Sequence, residues 1–118
     1  MGRHKITTTG REKLTSIFFH PDVYIELSRS FGWYESKAQG LGSKFISNIE
    51  AQLEVIKNFP DIRNKLPENF RSAPLNTFPY SIIYRKSGSE IFIIAITHQK
   101  PHPRRWLKRL IKSQLFVP

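Results

Sequence analysis

The spacing of apolar residues predicts a strand followed by two helices in the first half of the chain. Residues 14–19 are rich in β-forming side chains and predict a first strand. His20-Pro21-Asp22 predicts the start of a helix, because proline is accepted in a first turn and aspartate favours the positive end of the helix dipole. The apolar stripe of this helix has the period of an α-helix and consists of Val23, Leu27, Phe31 and Tyr34.

A glycine-rich turn, Gly40-Leu41-Gly42, separates this helix from a second one that ends before Pro60. The stripe of the second helix consists of Phe45, Ile49, Leu53 and Ile56, with Ile46 beside it. Two amphipathic helices joined by a short turn pack as an antiparallel hairpin. Because an isolated hairpin cannot bury its apolar stripes, we expect it to lie across a sheet.

The second half of the chain has the period of strands. After a polar loop at residues 60–69, the proline-interrupted segment 70–75 predicts an edge or bulged strand. Residues 79–86 alternate strictly, and residues 91–96 are apolar on both faces, which is typical of a covered central strand. The alternation places Tyr80, Ile82 and Tyr84 on one face of their strand and Ser81, Ile83 and Arg85 on the other.

Together these elements predict an α+β fold. It has an N-terminal strand, an antiparallel helical hairpin packed on a small, mainly antiparallel sheet, and a short C-terminal helix at residues 104–112. Residues 1–13 lack any period and predict a flexible basic arm, and residues 14–118 predict a single domain. We expect the sheet face opposite the helices to stay partly open. Whether Arg85 and His98 share that face depends on strand register, which the pattern leaves undetermined.

The net charge of the chain gives information about its binding partner. The 118 residues contain 19 Lys and Arg against 9 Asp and Glu, a formal net charge of +10. An excess of this size favours an acidic partner: nucleic acid first, an acidic protein second, an anionic membrane surface third. The basic residues crowd the two ends of the chain, so the positive field is localised, which favours a binding face over general solubility.

Several classes of protein are disfavoured by composition. The apolar run 91–96 is far shorter than the roughly 20 residues that span a bilayer, and no signal-peptide segment follows the basic start. Cysteine is absent and the four histidines lack metal-ligand spacing, so no metal or cofactor is expected. The sequence therefore predicts a cytoplasmic protein that does not enter a membrane.

The chemistry-bearing residues that remain are basic and surround the predicted strands. Cleavage of RNA through its 2′-hydroxyl needs a proton acceptor, a cation on the phosphate and a proton donor. His98 is the candidate acid or base, and Arg71 and Arg85 are the candidate phosphate clamp. The candidates for stacking on a base or for binding a substrate or partner are Tyr80, Tyr84, Lys100, Arg104, Arg105, Trp106 and Arg109.

Each of these residues also has a structural interpretation. A histidine at a strand end is more often a hydrogen-bonded structural residue, and tyrosines at strand spacing are more often core. Arg71 and Arg85 can instead pair with Glu68, Glu90 or backbone carbonyls. The basic cluster at 104–109 can be a solvated helix face.

Three stretches of the chain resemble the RelE/ParE toxin superfamily, in its plasmid-stabilisation subgroup. Trp33-Tyr34-Glu35 followed by Gly40-Leu41-Gly42 and Phe45 resembles its helix-hairpin signature. Arg71, Phe78-Pro79-Tyr80 and Tyr84-Arg85 resemble its second and third strands, and residues 95–99 with Pro103, Trp106 and Arg109 resemble its last strand and tail. The resemblance covers roughly residues 14–112 in the predicted order of elements.

The resemblance implies a toxin of a type II toxin–antitoxin pair, neutralised by a cognate antitoxin through an acidic or amphipathic segment. It also implies two targets: the ParE-like branch inhibits DNA gyrase without being an enzyme, and the RelE-like branch is a metal-independent endoribonuclease that cuts mRNA on the ribosome. In the mRNA-cleaving branch an arginine commonly stands three residues before the tyrosine that matches Tyr84, and here that residue is Ser81. The aromatic residue that follows the matching histidine in some nucleases is here Gln99.

These departures favour a gyrase inhibitor. The first alternative is the ribosome-dependent endoribonuclease using Arg71, Arg85 and His98. The second alternative is a non-toxic module that binds nucleic acid or a partner protein.

Overall fold

The computed structural model describes residues 16–98, and in them two helices pack on one face of a five-stranded sheet. The helices are α1 (Pro21–Lys37) and α2 (Leu41–Asn58), and the strands are β1 (Ser16–Phe19), β2 (Asn64–Lys65), β3 (Arg71–Pro74), β4 (Tyr80–Ser87) and β5 (Glu90–His98). The strand order is β1-β5-β4-β3-β2, with β1 parallel to β5 and the other pairs antiparallel. The predicted α+β fold is confirmed, while the basic arm 1–13 and the C-terminal helix lie outside the described residues.

The first helix begins where the sequence predicts. His20 caps it, because its Nδ1 accepts a hydrogen bond from the backbone N–H of Asp22 at 3.1 Å. Pro21 occupies the first turn, where its missing N–H costs nothing. Along the predicted stripe, Val23 is fully buried, but Phe31 is 37% exposed.

The turn between the helices is fixed from α1. The Glu35 carboxylate accepts the backbone N–H groups of Gly40 (2.8 Å) and Gly42 (2.9 Å), so it serves as the cap that α2 lacks among its own side chains. Gly40 has φ +86°, a left-handed conformation that favours glycine. A Cβ on Gly42 would lie 2.8 Å from the backbone oxygen of Phe31. The spacing of Glu35, Gly40 and Gly42 therefore has a direct packing reason.

The main core lies between the hairpin and the sheet. Phe45, Ile49 and Ile56 of the predicted α2 stripe are buried, and Ile46 and Leu53 are half-buried beside them. From the sheet, the buried side chains that complete this cluster are Ala73, Leu75, Phe78, Ile82, Tyr84, Ile91, Ile93 and Ile96.

A bulge in β5 decides which side chains face the helices. Ile83 pairs with Ala95 and Tyr84 with Ile93, so Ile94 is the extra residue. Ile94 and Ala95 consequently both lie on the face opposite the helices, where they form a second buried cluster with Phe70 and Ile83. The middle of that face is thus buried, and it is half-exposed at Arg85 and Phe92.

The same bulge places His98 on the helix side of the sheet. His98 pairs with Tyr80, whose ring belongs to the helix-side core, and the two rings lie 5.0 Å apart. If the same residues alternated without a bulge, His98 would lie on the face of Phe92 and Arg85. Arg85 and His98 therefore lie on opposite faces, which answers the question that the sequence pattern left undetermined.

Candidate functional site

The positive charges near the strands gather in a cleft at the β4–β5 turn, which we call the basic cleft. It encloses about 590 Å³. Its lining contains four cations and one carboxylate, and Phe92 is its one large apolar side chain. The lining residues are Asp61, Lys65, Asn69, Arg71, Arg85, Lys86, Ser87, Gly88 and Phe92.

Arg71 is held in this cleft by backbone oxygens. Its Nη1 donates to the carbonyl of Asp61 at 3.1 Å and to that of Arg63 at 2.8 Å. The Tyr84 hydroxyl donates to the carbonyl of Pro60 at 2.6 Å, which fixes the same loop against β4. Because carbonyls are neutral, they orient the guanidinium without cancelling its charge.

The other cations are held differently. The Arg85 guanidinium lies over the Phe70 ring, 4.8 Å from its centre, at the distance of a cation–π contact. Lys86 pairs with Asp61 at 3.4 Å, but both side chains are largely exposed, so this contact contributes little stability.

Gln52 supports the cleft from beneath, and the sequence analysis did not identify it. Its Nε2 donates to the carbonyl of Pro74 at 2.7 Å, and its Oε1 accepts from Arg63 Nη2 at 3.0 Å. It thereby ties the loop of residues 60–63 and strand β3 to helix α2. The available signal was a polar residue between Ile49 and Ile56 on the apolar stripe, and Gln52 is indeed buried.

A second cleft, which we call the aromatic cleft, lies between α1 and the opposite end of β4 and β5. It encloses about 530 Å³ and is lined by Arg29, Ser30, Trp33, Tyr34, Pro79, Tyr80 and His98. Trp33 is 57% exposed, although it is one of the largest apolar side chains. The signal for this site in the sequence is Trp33, which is part of the family resemblance but lies outside the apolar stripe that includes Tyr34.

The floor of the aromatic cleft is a set of packed rings. Tyr34 contacts Phe45, Phe78 and Tyr80 at centroid distances of 5.3, 4.9 and 6.2 Å. The Ser30 hydroxyl donates to the Tyr80 hydroxyl at 3.1 Å. Burial raises the pKa of the Tyr34 phenol above 10.0, and the neighbouring Tyr80 raises it further. The Tyr34 phenol is therefore neutral at physiological pH.

The predicted site residues divide between these places. Arg71 and Arg85 line one cleft, whereas His98 and Tyr80 line the other. His98 pairs with Tyr80, five residues along β4 from Arg85, so the backbones of Arg85 and His98 lie about 17 Å apart at strand rise. Tyr84 is fully buried with its hydroxyl bonded to Pro60, so it supports the basic cleft from within the core. Lys100, Arg104, Arg105, Trp106 and Arg109 lie outside the described residues.

Two classes of site are not found in the part of the chain that the structure describes. Between residues 16 and 98, no three His, Asp or Glu side chains come close enough to hold a metal ion. Neither α1 nor α2, the two helices of that part, is long and apolar enough to cross a membrane.

Comparison with known proteins assigns the family. A family model described as the ParE toxin of the type II toxin–antitoxin system parDE matches residues 17–103. A solved structure titled as the chromosomal ParDE toxin–antitoxin system from P. aeruginosa superposes with a TM-score of 0.59 at 19% identity, covering 73% of this chain and 97% of that one. At 19% identity this structural match supports the fold alone. A sequence search of curated proteins finds no match. Because the family model covers well over half of the sequence and agrees with the fold, the chain belongs to the ParE toxin family and is the toxin of a type II toxin–antitoxin system.

Proposed function

We propose that this toxin stops growth by binding DNA gyrase and does not cut RNA. The observation that carries the proposal is the separation of His98 from Arg71 and Arg85, which line different clefts. A general acid or base acts only within hydrogen-bond reach of the reacting atoms. Tyr80, the partner of His98, is five residues along β4 from Arg85, a backbone separation of about 17 Å at strand rise. Arg71 pairs with Tyr84, four residues from Tyr80, which gives about 13 Å.

Ser81 supports the same proposal. It stands where the mRNA-cleaving branch commonly carries a phosphate-binding arginine, and it is only 6% exposed, paired with Thr97 across the sheet. A short, buried hydroxyl cannot replace a cation at a phosphate. The alternative, a ribosome-dependent endoribonuclease using Arg71, Arg85 and His98, would need these groups to meet in another arrangement.

The two targets are separated by measuring both activities on the same protein. Purified toxin added to gyrase and relaxed plasmid should block supercoiling or accumulate cleaved DNA. The same toxin added to translating ribosomes should leave mRNA ends unchanged. Specific mRNA cleavage that disappears in His98→Ala would establish the nuclease and refute the gyrase proposal.

We also propose where the cognate antitoxin acts: an acidic amphipathic segment lies along the exposed side of α1 and enters the aromatic cleft. Ile25 is 54% and Trp33 57% exposed, and Arg29 stands between them at one-turn spacing. Arg29 also joins the aromatic cleft to a shallower groove formed with Tyr24, Ile25 and Ser28. An apolar stripe with a central cation fits a helix that has apolar residues and a carboxylate on one face.

The matching test measures antitoxin affinity. Trp33→Ala and Arg29→Glu should each weaken binding of the antitoxin by at least tenfold, since buried aromatic and arginine side chains dominate interfaces. Lys44→Glu reverses the charge of an exposed residue on the other helix and serves as the control. Equal losses in Arg29→Glu and Lys44→Glu would mean that only overall charge matters, and unchanged affinity in Trp33→Ala would contradict docking in the aromatic cleft.

A further inference from the structure

The basic cleft carries positive charge that the described part of the protein does not neutralise. Among residues 16–98, ion pairs within 4.0 Å join Lys86 to Asp61 and Lys57 to Glu54, and neither includes Lys65, Arg71 or Arg85. Holding several like charges around one concave surface costs electrostatic energy. A ligand of opposite charge would recover that energy.

The two arginines are already positioned for such a ligand. Arg71 is fixed by the carbonyls of Asp61 and Arg63, and Arg85 by the face of the Phe70 ring. A guanidinium held through one edge or one face keeps its other N–H groups in a fixed fork, which matches the oxygens of a phosphate. Little side-chain freedom remains to be lost when an anion binds.

The backbone beside the cleft has an uncommon conformation. Glu68 and Asn69 both have positive φ, 62° and 65°, a conformation that is uncommon for residues other than glycine. Asn69 lines the cleft directly before β3, on which Arg71 stands. Residues in such conformations persist where the surrounding structure requires a particular geometry, and these two directly precede Phe70 and Arg71.

We propose that the basic cleft binds the phosphodiester backbone of a nucleic acid without cleaving it. Lys65, Arg71, Arg85 and Lys86 would contact successive phosphates, and the planar arginines would fix their orientation. The chemistry at the site is that of the phosphate backbone, shared by DNA and RNA. The proposal does not depend on gyrase being the target.

An acidic protein segment fits this cleft less well. Segments that bind proteins bury apolar side chains, and the lining here offers Phe92 as its one large apolar residue. The aromatic cleft at the other end of the sheet has the apolar surface that a protein segment needs. Among the described residues the lining has no histidine, and its one carboxylate, Asp61, is paired with Lys86, which is the reason that we expect binding without cleavage.

The test is a direct binding measurement with full-length toxin and no gyrase present. The probes are fluorescein-labelled oligothymidylate and oligouridylate, followed by fluorescence anisotropy at several salt concentrations. Arg85→Gln and Lys65→Gln should each weaken binding, the arginine variant by about tenfold. Each should also reduce the slope of log affinity against log salt by about 0.7, the value for one phosphate contact on a single strand.

Lys44→Gln is the matched control, because it removes the same charge from an exposed position on α2 outside the cleft. The chain ends carry further cations, so only the difference between variants of equal net charge is informative. Arg85→Lys keeps the charge but loses the fork, and it should fall between wild type and Arg85→Gln. Thermal unfolding of each variant identifies any that fail to fold. Lys65 is exposed, so Lys65→Gln should fold normally and can test the proposal even if Arg85→Gln does not fold.

Equal affinity of oligothymidylate and oligouridylate would support recognition of the backbone itself. The proposal is overturned if Arg85→Gln and Lys65→Gln bind as Lys44→Gln does. It is also overturned if oligoglutamate of matched charge displaces the oligonucleotides equally well, since the cleft would then take an acidic peptide. Because gyrase is absent from this experiment, a negative result does not affect the gyrase proposal. Likewise, a negative supercoiling assay does not affect the proposal that the basic cleft binds nucleic acid.

Discussion

The two clefts lie at opposite ends of the same pair of strands, and they are supported in different ways. The aromatic cleft rests on the core: its rings continue directly into Phe45 and Phe78, which are buried. The basic cleft rests on three hydrogen bonds that Arg71 and Tyr84 donate to the carbonyls of the 60–63 loop. One site therefore depends on packing and the other on a few polar contacts.

This difference matches what each cleft can bind. Apolar surface is useful to a protein partner, and it can be exposed only where a rigid core holds it in place. Cations repel one another, so they are best held by neutral carbonyls and rings that leave their charge uncancelled. Substitutions that damage one support and spare the other will show whether the two clefts act independently.

The largest effect is expected for Phe45→Ala. Phe45 is fully buried, and its ring lies 5.3 Å from Tyr34 and 5.0 Å from Tyr80. Deleting it should lower the free energy of unfolding by about 3–5 kcal/mol, measured by urea denaturation. Antitoxin affinity should fall with it, while oligonucleotide affinity of the folded fraction is retained. Ile46→Ala, at a half-buried site on the same helix, should cost clearly less; an equal cost would show that the aromatic floor has no special role.

Tyr84→Phe is expected to lower stability less than Phe45→Ala does, and to weaken oligonucleotide binding instead of antitoxin binding. The substitution removes the hydroxyl that donates to Pro60 and should cost about 1–2 kcal/mol. Because the same loop orients Arg71, oligonucleotide affinity should decrease and antitoxin affinity should not. Tyr80→Phe removes the equivalent atom from the aromatic cleft and is the control. If both variants weaken both activities, the clefts are coupled through the sheet.

Tyr84 also makes the stability of the folded protein depend on pH. Burial raises the pKa of Tyr84 above 10.0, and the nearby Arg71 and Arg63 only partly oppose this rise. The folded protein therefore keeps the phenol proton to higher pH than the unfolded chain. Its contribution to stability is complete below pH 10 and is lost as pH rises through the raised value. The free energy of unfolding should fall less steeply with rising pH above 10 in Tyr84→Phe than in wild type. An unchanged dependence on pH would contradict the raised pKa of Tyr84.

The smallest effect is expected for Glu35→Ala at the turn between the helices. The loss of two hydrogen bonds to Gly40 and Gly42 should cost about 1 kcal/mol, since water reaches this half-buried carboxylate and replaces part of each bond. Glu35→Gln keeps one acceptor oxygen and should cost less. Differential scanning calorimetry gives both values. A shift of antitoxin affinity without a shift of oligonucleotide affinity would confirm that only the aromatic cleft depends on the hairpin.

The elements of the fold were predictable because their signals are local. His20, Pro21 and Asp22 identify the start of α1, and strict alternation at residues 79–86 identifies β4. The turn at Gly40 to Gly42 was also evident, although the capping by Glu35 was not, since that contact crosses from one helix to the next. The candidate sites were less predictable: Arg71 and Arg85 were candidates from the sequence and stay so, whereas the contacts of Gln52 and Trp33 are with residues that are distant in sequence.

The sequence by itself determined the α+β class, the hairpin, the strand faces of β4 and the excess of positive charge, because period and composition act within a few residues. Only the tertiary structure decided which residues meet. One extra residue, Ile94, turns His98 away from the face of Arg85, and a bulge of this kind depends on pairing between strands. The sheet thereby separates the imidazole from Arg85, whereas Arg71, the partner of Tyr84, lies on the same face as His98 and is separated from it by distance along the strands. Both separations are the case against cleavage.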